Sequence, residues 1–281
     1  MISTVTVNFK TVDYLERMLA SLFQFHTKGD LEVFVVENGS HDDLTDLQRQ
    51  FPQVTFLLSE KNLGFAGGCN LAISQAKGDY VILLNPDTVF VSDALYRVQA
   101  SMDAYPSVGI GGVALKNLDG SVQKCVWRFP TALDQLILLL KLPHLFPHFK
   151  LIAKWRMDGF DYSQDADVDQ VMGAFFCIRR AVIDQIGLMD DGFFLWYEEV
   201  DYCRRAKNAG WRIRYFADIH VLHKKGSSFD RVPTLAKQTI LRKSIRRYLR
   251  KHVGIFSWMF FCLLEPLFAI LSRIAAWLKP M

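Results

Sequence analysis

The densest group of chemistry-capable side chains in this chain is Glu198-Glu199-Val200-Asp201, which follows the aromatic run Phe193-Phe194-Leu195-Trp196-Tyr197 and precedes Arg204 and Gly210-Trp211. A carboxylate set against aromatic rings loses solvation in its charged form. Its proton affinity therefore rises toward neutrality, and a base of that strength suits the activation of a hydroxyl. The same acids would also complement the dipole of a helix starting here, and Asp201 has Arg204 and Arg205 within a turn. A second group, Asn85-Pro86-Asp87, ends the apolar run Tyr80-Val81-Ile82-Leu83-Leu84. It delivers a carboxylate rigidly, as a hard divalent cation held by one or two carboxylates plus substrate phosphates would require; an Asx-Pro turn accounts for the same residues. A third, Asn62-Leu63-Gly64-Phe65-Ala66-Gly67-Gly68-Cys69-Asn70, combines glycines with the approach to a helix, where free amides attract a phosphate. Its spacing is that of neither the P-loop nor the Rossmann fingerprint, which argues against an ATPase or a nicotinamide enzyme.

The elements that must position these groups alternate. Strand-like runs at residues 5–9, 32–36 and 80–84 are separated by helical patterns at 12–25 and 68–75. That rhythm is βαβ, so the fold class is α/β, with a doubly wound, mostly parallel sheet flanked by helices. Such sheets bind ligands beyond the carboxyl ends of their strands, where Asn8-Phe9-Lys10, Glu37-Asn38-Gly39-Ser40 and Asn85-Pro86-Asp87-Thr88 lie. A second half follows, with a strand near 173–178, a helix over 180–186, the acidic segment, and a strand over 212–222 that ends in His223.

Half of the 281 residues are apolar, enough for one large domain with an appendage. The net charge of +4 is mild and no nucleic-acid partner is expected, but the charge is unevenly placed: Lys237, Arg242, Lys243, Arg246, Arg247, Arg250 and Lys251 lie in a stretch without a single acid. Residues 254–278 are rich in Phe, Leu and Trp yet broken by Glu265-Pro266 and Arg273, and 133–155 is apolar but broken by Pro143 and Pro147. Neither offers the ~20 unbroken apolar residues of a membrane span. The chain therefore divides into a domain over 1–232 and a basic, apolar helical region over 233–281, read as amphipathic helices on an anionic membrane surface. The alternative is a helical pair packed on the core or on a second subunit, as in a homodimer. Five scattered cysteines without a C-x-x-C pair read as buried thiols of a reducing compartment, and the immediate entry into a strand argues against a secretory signal.

These segments, taken in order with Gly173-Ala174, Arg179-Arg180, Gly210-Trp211 and His223 followed by Gly226 and Ser228, form a set that resembles the family 2 glycosyltransferases of the GT-A fold. Within them the set is most similar to the bacterial rhamnosyltransferase-like branch, and the likeness covers roughly residues 2–228. The resemblance implies a nucleotide-sugar donor, a divalent cation (Mg2+ or Mn2+) and inversion at the anomeric carbon by direct displacement. It also implies roles. Asn8, Glu37, Asn62, Gly64, Gly67, Gly68, Asn70 and Asn85 would line the nucleotide-sugar site, and Asp87 and His223 would hold the metal. His220, in the same strand, is the competing ligand. Glu199, the second acid of the pair, would be the base; Glu198, Asp201 and Trp196 would orient the acceptor. The chain departs from the family at Glu37, where Asp is commoner, and at Asn85, where the metal motif usually has its first acid.

The reading is an inverting enzyme, peripheral at the cytoplasmic face of a bacterial inner membrane, that moves rhamnose from dTDP-rhamnose onto a lipid-linked glycan. Two alternatives stand beside it: a UDP-sugar donor on the same fold, and an inactive membrane-bound partner of another transferase.

Overall fold

Strands buried on both faces read as unbroken apolar runs, and in the computed structural model of the protein Tyr80–Leu84 is the clearest of them, with all five residues buried. The structure describes residues 1–26, 30–146, 150–224 and 234–277. Its strands are β1 (Ile2–Asn8), β2 (Leu31–Asn38), β3 (Val54–Ser59), β4 (Tyr80–Leu84), β5 (Thr88–Val89), β6 (Val108–Lys116), β7 (Val126–Trp127), β8 (Ala166–Val168), β9 (Gln170–Val171), β10 (Phe175–Arg179) and β11 (Arg212–His223). Its helices are α1 (Val12–Phe25), α2 (Thr45–Gln50), α3 (Gly64–Ile73), α4 (Ala94–Ala104), α5 (Ala132–Leu139), α6 (Leu142–Leu145), α7 (Lys150–Trp155), α8 (Arg180–Ile186), α9 (Glu198–Asn208), α10 (Thr234–His252), α11 (Ile255–Leu263) and α12 (Glu265–Trp277).

The main sheet runs β3-β2-β1-β4-β10-β6-β11-β5, with β8 paired to β11. β3, β2, β1 and β4 are mutually parallel and β11 is parallel to β6, while β10 runs against both its neighbours. The mostly parallel α/β architecture agrees with the alternation in the sequence. β3 and β6 were not anticipated, and α3 starts at Gly64 instead of residue 68. Glycine disguises β6: a Cβ on Gly112 would lie 2.6 Å from Val171 Cβ, and one on Gly111 2.9 Å from Met102 Sδ, so the strand gives up side chains to let neighbours approach.

The C-terminal helices join the domain through a second apolar cluster, in which Ile245, Tyr248 and Leu249 of α10 and Phe261 and Phe268 of α11 and α12 pack with Phe193, Tyr197 and Val200. The basic run of α10 is largely spent on internal pairs. Arg242 and Arg246 meet Glu265, Arg247 and Lys251 meet Asp190, and Lys251 and His252 meet Asp201. No single described helix is long and apolar enough to cross a membrane; α11 with Glu265–Ala276, bent by 55°, passes that test only as a pair. This bent pair exposes Phe256 (85%) and Leu263 (77%). Gly226 and Ser228, and the boundary drawn at 232/233, lie outside the described residues.

Candidate active site

The carboxyl ends of β1 and β2 are held by polar side chains that fold back on their own turns. The Asn8 amide donates to Asp42 Oδ2 (2.8 Å) and its carbonyl accepts from Thr11 N and Oγ1. Glu37, buried at the end of β2, accepts from Gly39 N (3.2 Å), Ser40 N (2.7 Å) and the Ser40 hydroxyl. Its carboxylate therefore shapes the turn that faces any ligand there. Asp42, which the sequence reading did not single out, is the more open acid, gathering Asn8, Lys10 N and Ser40 Oγ.

Asn38, also missed, clamps the glycine segment to β2: its Oδ1 accepts from Leu63 N (3.0 Å) and its Nδ2 donates to Gly64 O (3.0 Å) and Asn62 Oδ1 (3.2 Å). Asn62 Oδ1 in turn accepts from Gly64 N (2.9 Å). Gly64 adopts φ +75°, and a side chain there would collide with Phe194 O, which accepts from Phe65 N (2.9 Å). This glycine thus brings the start of α3 against the aromatic run. Gly67 stacks over Leu63, the residue before α3, and Gly68 lets the helix seat on Val7, whose Cγ1 would be 2.9 Å from an added Cβ. Both amide atoms of Asn70 are engaged by the Met189 backbone, which ties α3 to the segment before α9.

At the end of β4, Asn85 N donates to Ala174 O (3.1 Å), and β5 pairs antiparallel with β11 so that Thr88 faces His223. That pairing sets His223 Nε2 3.2 Å from Asp87 Oδ1 and 3.4 Å from Asn85 Nδ2, with Asp87 and His223 both buried. His220 is three residues away in the strand, so it faces the other side. Its proton affinity is lowered by burial and by the charges of Lys116 and Arg97, and it does not join Asp87. Among the described residues no three His, Cys, Asp or Glu side chains converge. Asp87 and His223 supply one oxygen and one nitrogen, which fits a hard divalent cation that takes its remaining ligands from phosphate oxygens and water.

The acidic segment enters α9 through two consecutive left-handed residues, Trp196 (φ 64°) and Tyr197 (φ 74°). Bulky residues rarely adopt that conformation, and it persists because Tyr197 is buried with its hydroxyl on Gln135 Oε1 while Trp196 packs on the same apolar cluster. The turn splits the acids. Glu198 is 4% exposed and its charge is felt by Cys69 in α3; burial, aided by the charge of Glu199, pushes its carboxyl well above the usual range. Glu199 is half-buried against Gly173, where an added Cβ would lie 3.9 Å from its own. Burial raises its proton affinity too, and its Oε2, like Glu198 Oε2, has no hydrogen-bond partner among the described residues. Gly173 adjoins Ala174, the residue bonded to Asn85, so one short segment neighbours both Glu199 and the turn that carries Asp87.

Asp201 points elsewhere. It is fully buried and takes Arg205 Nε (2.9 Å), Lys251 Nζ (2.8 Å) and His252 Nε2 (2.7 Å). Burial alone would raise its pKa, but hydrogen bonds from His252 and Lys251, with the charges of Arg205 and Lys251, hold the carboxyl below the ordinary range. Its contacts are those of a clamp between α9 and α10.

The sequence model of the group described as "Glycosyl transferase family 2" matches residues 3–154. The N-acetylglucosaminyl-diphospho-decaprenol L-rhamnosyltransferase of Mycobacterium tuberculosis is 27% identical over 245 residues, covering 83% of this chain and 79% of that protein. Rhamnosyltransferase WbbL of Escherichia coli K12 is 24% identical over 236 residues, covering 79% and 83%. Among solved structures, the mannosyltransferase PcManGT of Pyrobaculum calidifontis, in complex with GDP-Man and Mn2+, superposes with a TM-score of 0.58 at 14% identity, covering 98% of this chain and 73% of that one. GalNAc-T7 with UDP, GalNAc and Mn2+ gives 0.61 at 14%, covering 86% and 48%. These neighbours are GT-A glycosyltransferases, and the likeness establishes the fold.

Proposed function

The chain belongs to glycosyl transferase family 2, and we propose that it is an inverting, divalent-cation-dependent enzyme that moves a deoxyhexose, rhamnose from dTDP-rhamnose, onto a lipid-linked glycan. The observation that carries this reading is Glu199, whose Oε2 has no hydrogen-bond partner among the described residues, beside the Gly173-Ala174 segment to which Asn85, next to Asp87 and His223, is also bonded. Inversion in one step needs a base on the acceptor side and charge compensation on the leaving-group side, with no protein nucleophile between them. Glu199 Oε2 takes the acceptor hydroxyl's proton as that oxygen bonds to the anomeric carbon. The bond from that carbon to the diphosphate breaks, and its electron pair leaves with the nucleotide. Asp87 and His223 would hold the divalent cation, which supplies Lewis-acid neutralisation of the departing diphosphate. The amides and side chains at the ends of β1 and β2, with the start of α3, form the edge on which the nucleotide is oriented.

The rhamnose and lipid-linked parts of the proposal are supported by the names of the M. tuberculosis and E. coli relatives. The exposed apolar face of α11 and α12 supports peripheral attachment at the cytoplasmic face of a bacterial inner membrane, where a lipid-linked acceptor would be reached. An enzyme of this design binds its donor with the cation before acceptor arrives. A thermal-shift panel of dTDP-rhamnose and UDP-sugars, with and without Mn2+, tests it: stabilisation by dTDP-rhamnose only with metal is expected, because a ligand bound by the native state alone raises stability. A larger shift with a UDP-sugar would replace the donor assignment, and NMR of the product linkage checks inversion.

A further inference from the structure

A polar contact that the reaction does not use directly is made by Gln123, a buried residue just after the turn that follows β6. Its amide nitrogen lies 2.5 Å from the backbone oxygen of His223 and 2.7 Å from Asn117 Oδ1, and its Oε1 lies 2.9 Å from His223 Nδ1. A backbone oxygen only accepts, so the Gln123 atom facing it must be the NH2 group. The other terminal atom is then the carbonyl oxygen, which also only accepts. His223 Nδ1 must therefore carry a proton.

The neighbouring bonds force the same assignment from the other end. Ser121 Oγ donates to the Asp119 carboxylate (2.6 Å), so it accepts from Asn117 Nδ2 (2.7 Å). That turns Asn117 Oδ1 toward the Gln123 NH2 group. A relay of Asp119, Ser121, Asn117 and Gln123 thus ends on one imidazole nitrogen. With Nδ1 committed as donor, Nε2 is the ring nitrogen left to face Asp87 Oδ1, at 3.2 Å. An imidazole nitrogen and a carboxylate oxygen at that separation are placed to share one divalent cation.

We infer that Gln123 is a positioning residue for the metal: it fixes His223 in the Nδ1–H tautomer, so that Nε2 is presented beside Asp87. This rests on the reading of Asp87 and His223 as cation ligands. Hydrogen-bonding partners that orient ligating imidazoles are typically worth about 10–100-fold in metal affinity, so Gln123→Met, which keeps length and removes the acceptor, should weaken Mn2+ binding by about that factor.

Two measurements on the full chain test it, neither using turnover. Long-range 1H–15N NMR of 15N-histidine-labelled protein without metal, with the His223 signal identified by its loss in His223→Asn, should show the Nδ1–H tautomer. Electron paramagnetic resonance of free Mn2+, titrated in the presence of dTDP, should show the affinity loss in Gln123→Met. An Nε2–H tautomer in the unsubstituted protein overturns the role of Gln123, and does so even if the variant fails to fold. Mn2+ affinity of a folded Gln123→Met within twofold of the unsubstituted protein overturns it equally. Absence of dTDP-dependent Mn2+ binding in the unsubstituted protein overturns the metal reading and this inference with it, whereas tight binding with the wrong tautomer removes the inference alone.

Discussion

Replacing Glu199 by Gln keeps the shape of the side chain and removes only its capacity to accept a proton. No described residue hydrogen-bonds the Oε2 atom, so no described partner is stranded by the change, and Gln retains the Cβ that faces Gly173. The fold should therefore survive and the loss should fall on the chemical step. General-base assistance is typically worth about 10²- to 10⁴-fold, or about 3–5 kcal/mol of barrier. Glu198→Gln is the internal control. Burial, aided by the charge of Glu199, holds the Glu198 carboxyl well above the usual range. Glu198 is assigned to orientation and not to proton transfer, so the cost of Gln there should stay below about tenfold. The assay is nucleoside diphosphate release with acceptor present, alongside calorimetric donor binding, which both variants should retain. Because burial also raises the Glu199 pKa, turnover should fall on the acid side at a pH above the ordinary carboxylate range, as the base becomes protonated. If Glu198→Gln abolishes transfer while Glu199→Gln spares it, the base is Glu198 and the inward orientation assigned to that residue is wrong.

Three further outcomes follow from the same geometry. Asp87→Asn should abolish Mn2+-dependent stabilisation by the donor while leaving the metal-free melting temperature nearly unchanged; normal donor binding in excess chelator would remove the cation from the reaction. Phe256→Ser with Leu263→Ser removes two of the most exposed apolar side chains and should weaken flotation with lipid vesicles at least about tenfold. Salt should have a modest effect, since Arg242, Arg246, Arg247 and Lys251 already have internal partners, and a steep salt dependence would restore an electrostatic anchor. Asp201→Asn leaves Arg205, Lys251 and His252 facing a neutral group and should cost about 3–5 kcal/mol in denaturant unfolding. The native Asp201 carboxyl binds its proton more weakly than the unfolded one. Its stabilisation is therefore complete above about pH 4 and fades as pH falls through the lower native value, a decline that Asp201→Asn should lack.

The parallel half of the fold was legible because burial on both faces writes itself as apolar runs, and β1, β2 and β4 stand where those runs predicted them. β3 was not, since it lies at the sheet edge with Val54 its single buried residue and Leu58 72% exposed. α3 was read as starting late because three of its first five residues are glycines of poor helix propensity; contact with Val7 and Phe194 overrides that preference. Of the site, the acids and the Asn85-Pro86-Asp87 turn announced themselves through residue type beside an apolar or aromatic run. Asp42 and Gln123 carried no such mark: their partners Asn8 and His223 are 34 and 100 residues away, and no local spacing encodes a contact that only the sheet creates. The left-handed pair Trp196-Tyr197 was equally hidden, because nothing in two aromatic residues signals a conformation that tertiary packing imposes on them.

The placement of Asp201 gives the acidic motif a second physical meaning. α9 carries Glu199 in its first turn and, two residues on, an acid whose three partners come from its own Arg205 and from Lys251 and His252 at the end of α10. Glu199 and Asp201 are 200° apart around a helix of 3.6 residues per turn, so one can face the sheet edge while the other faces α10. α10 is followed directly by the apolar pair α11 and α12, held to it through Phe261 and Phe268 and through Arg242 on Glu265. A rigid path therefore runs from the face of α11 and α12 that would meet lipid to the turn that carries the proposed base. An enzyme acting on a lipid-linked acceptor has to set the height of its base above the bilayer. On the proposed reading that height would follow from buried ion pairs and aromatic packing, so Asp201→Asn should lower activity on a lipid-linked acceptor more than it lowers donor binding.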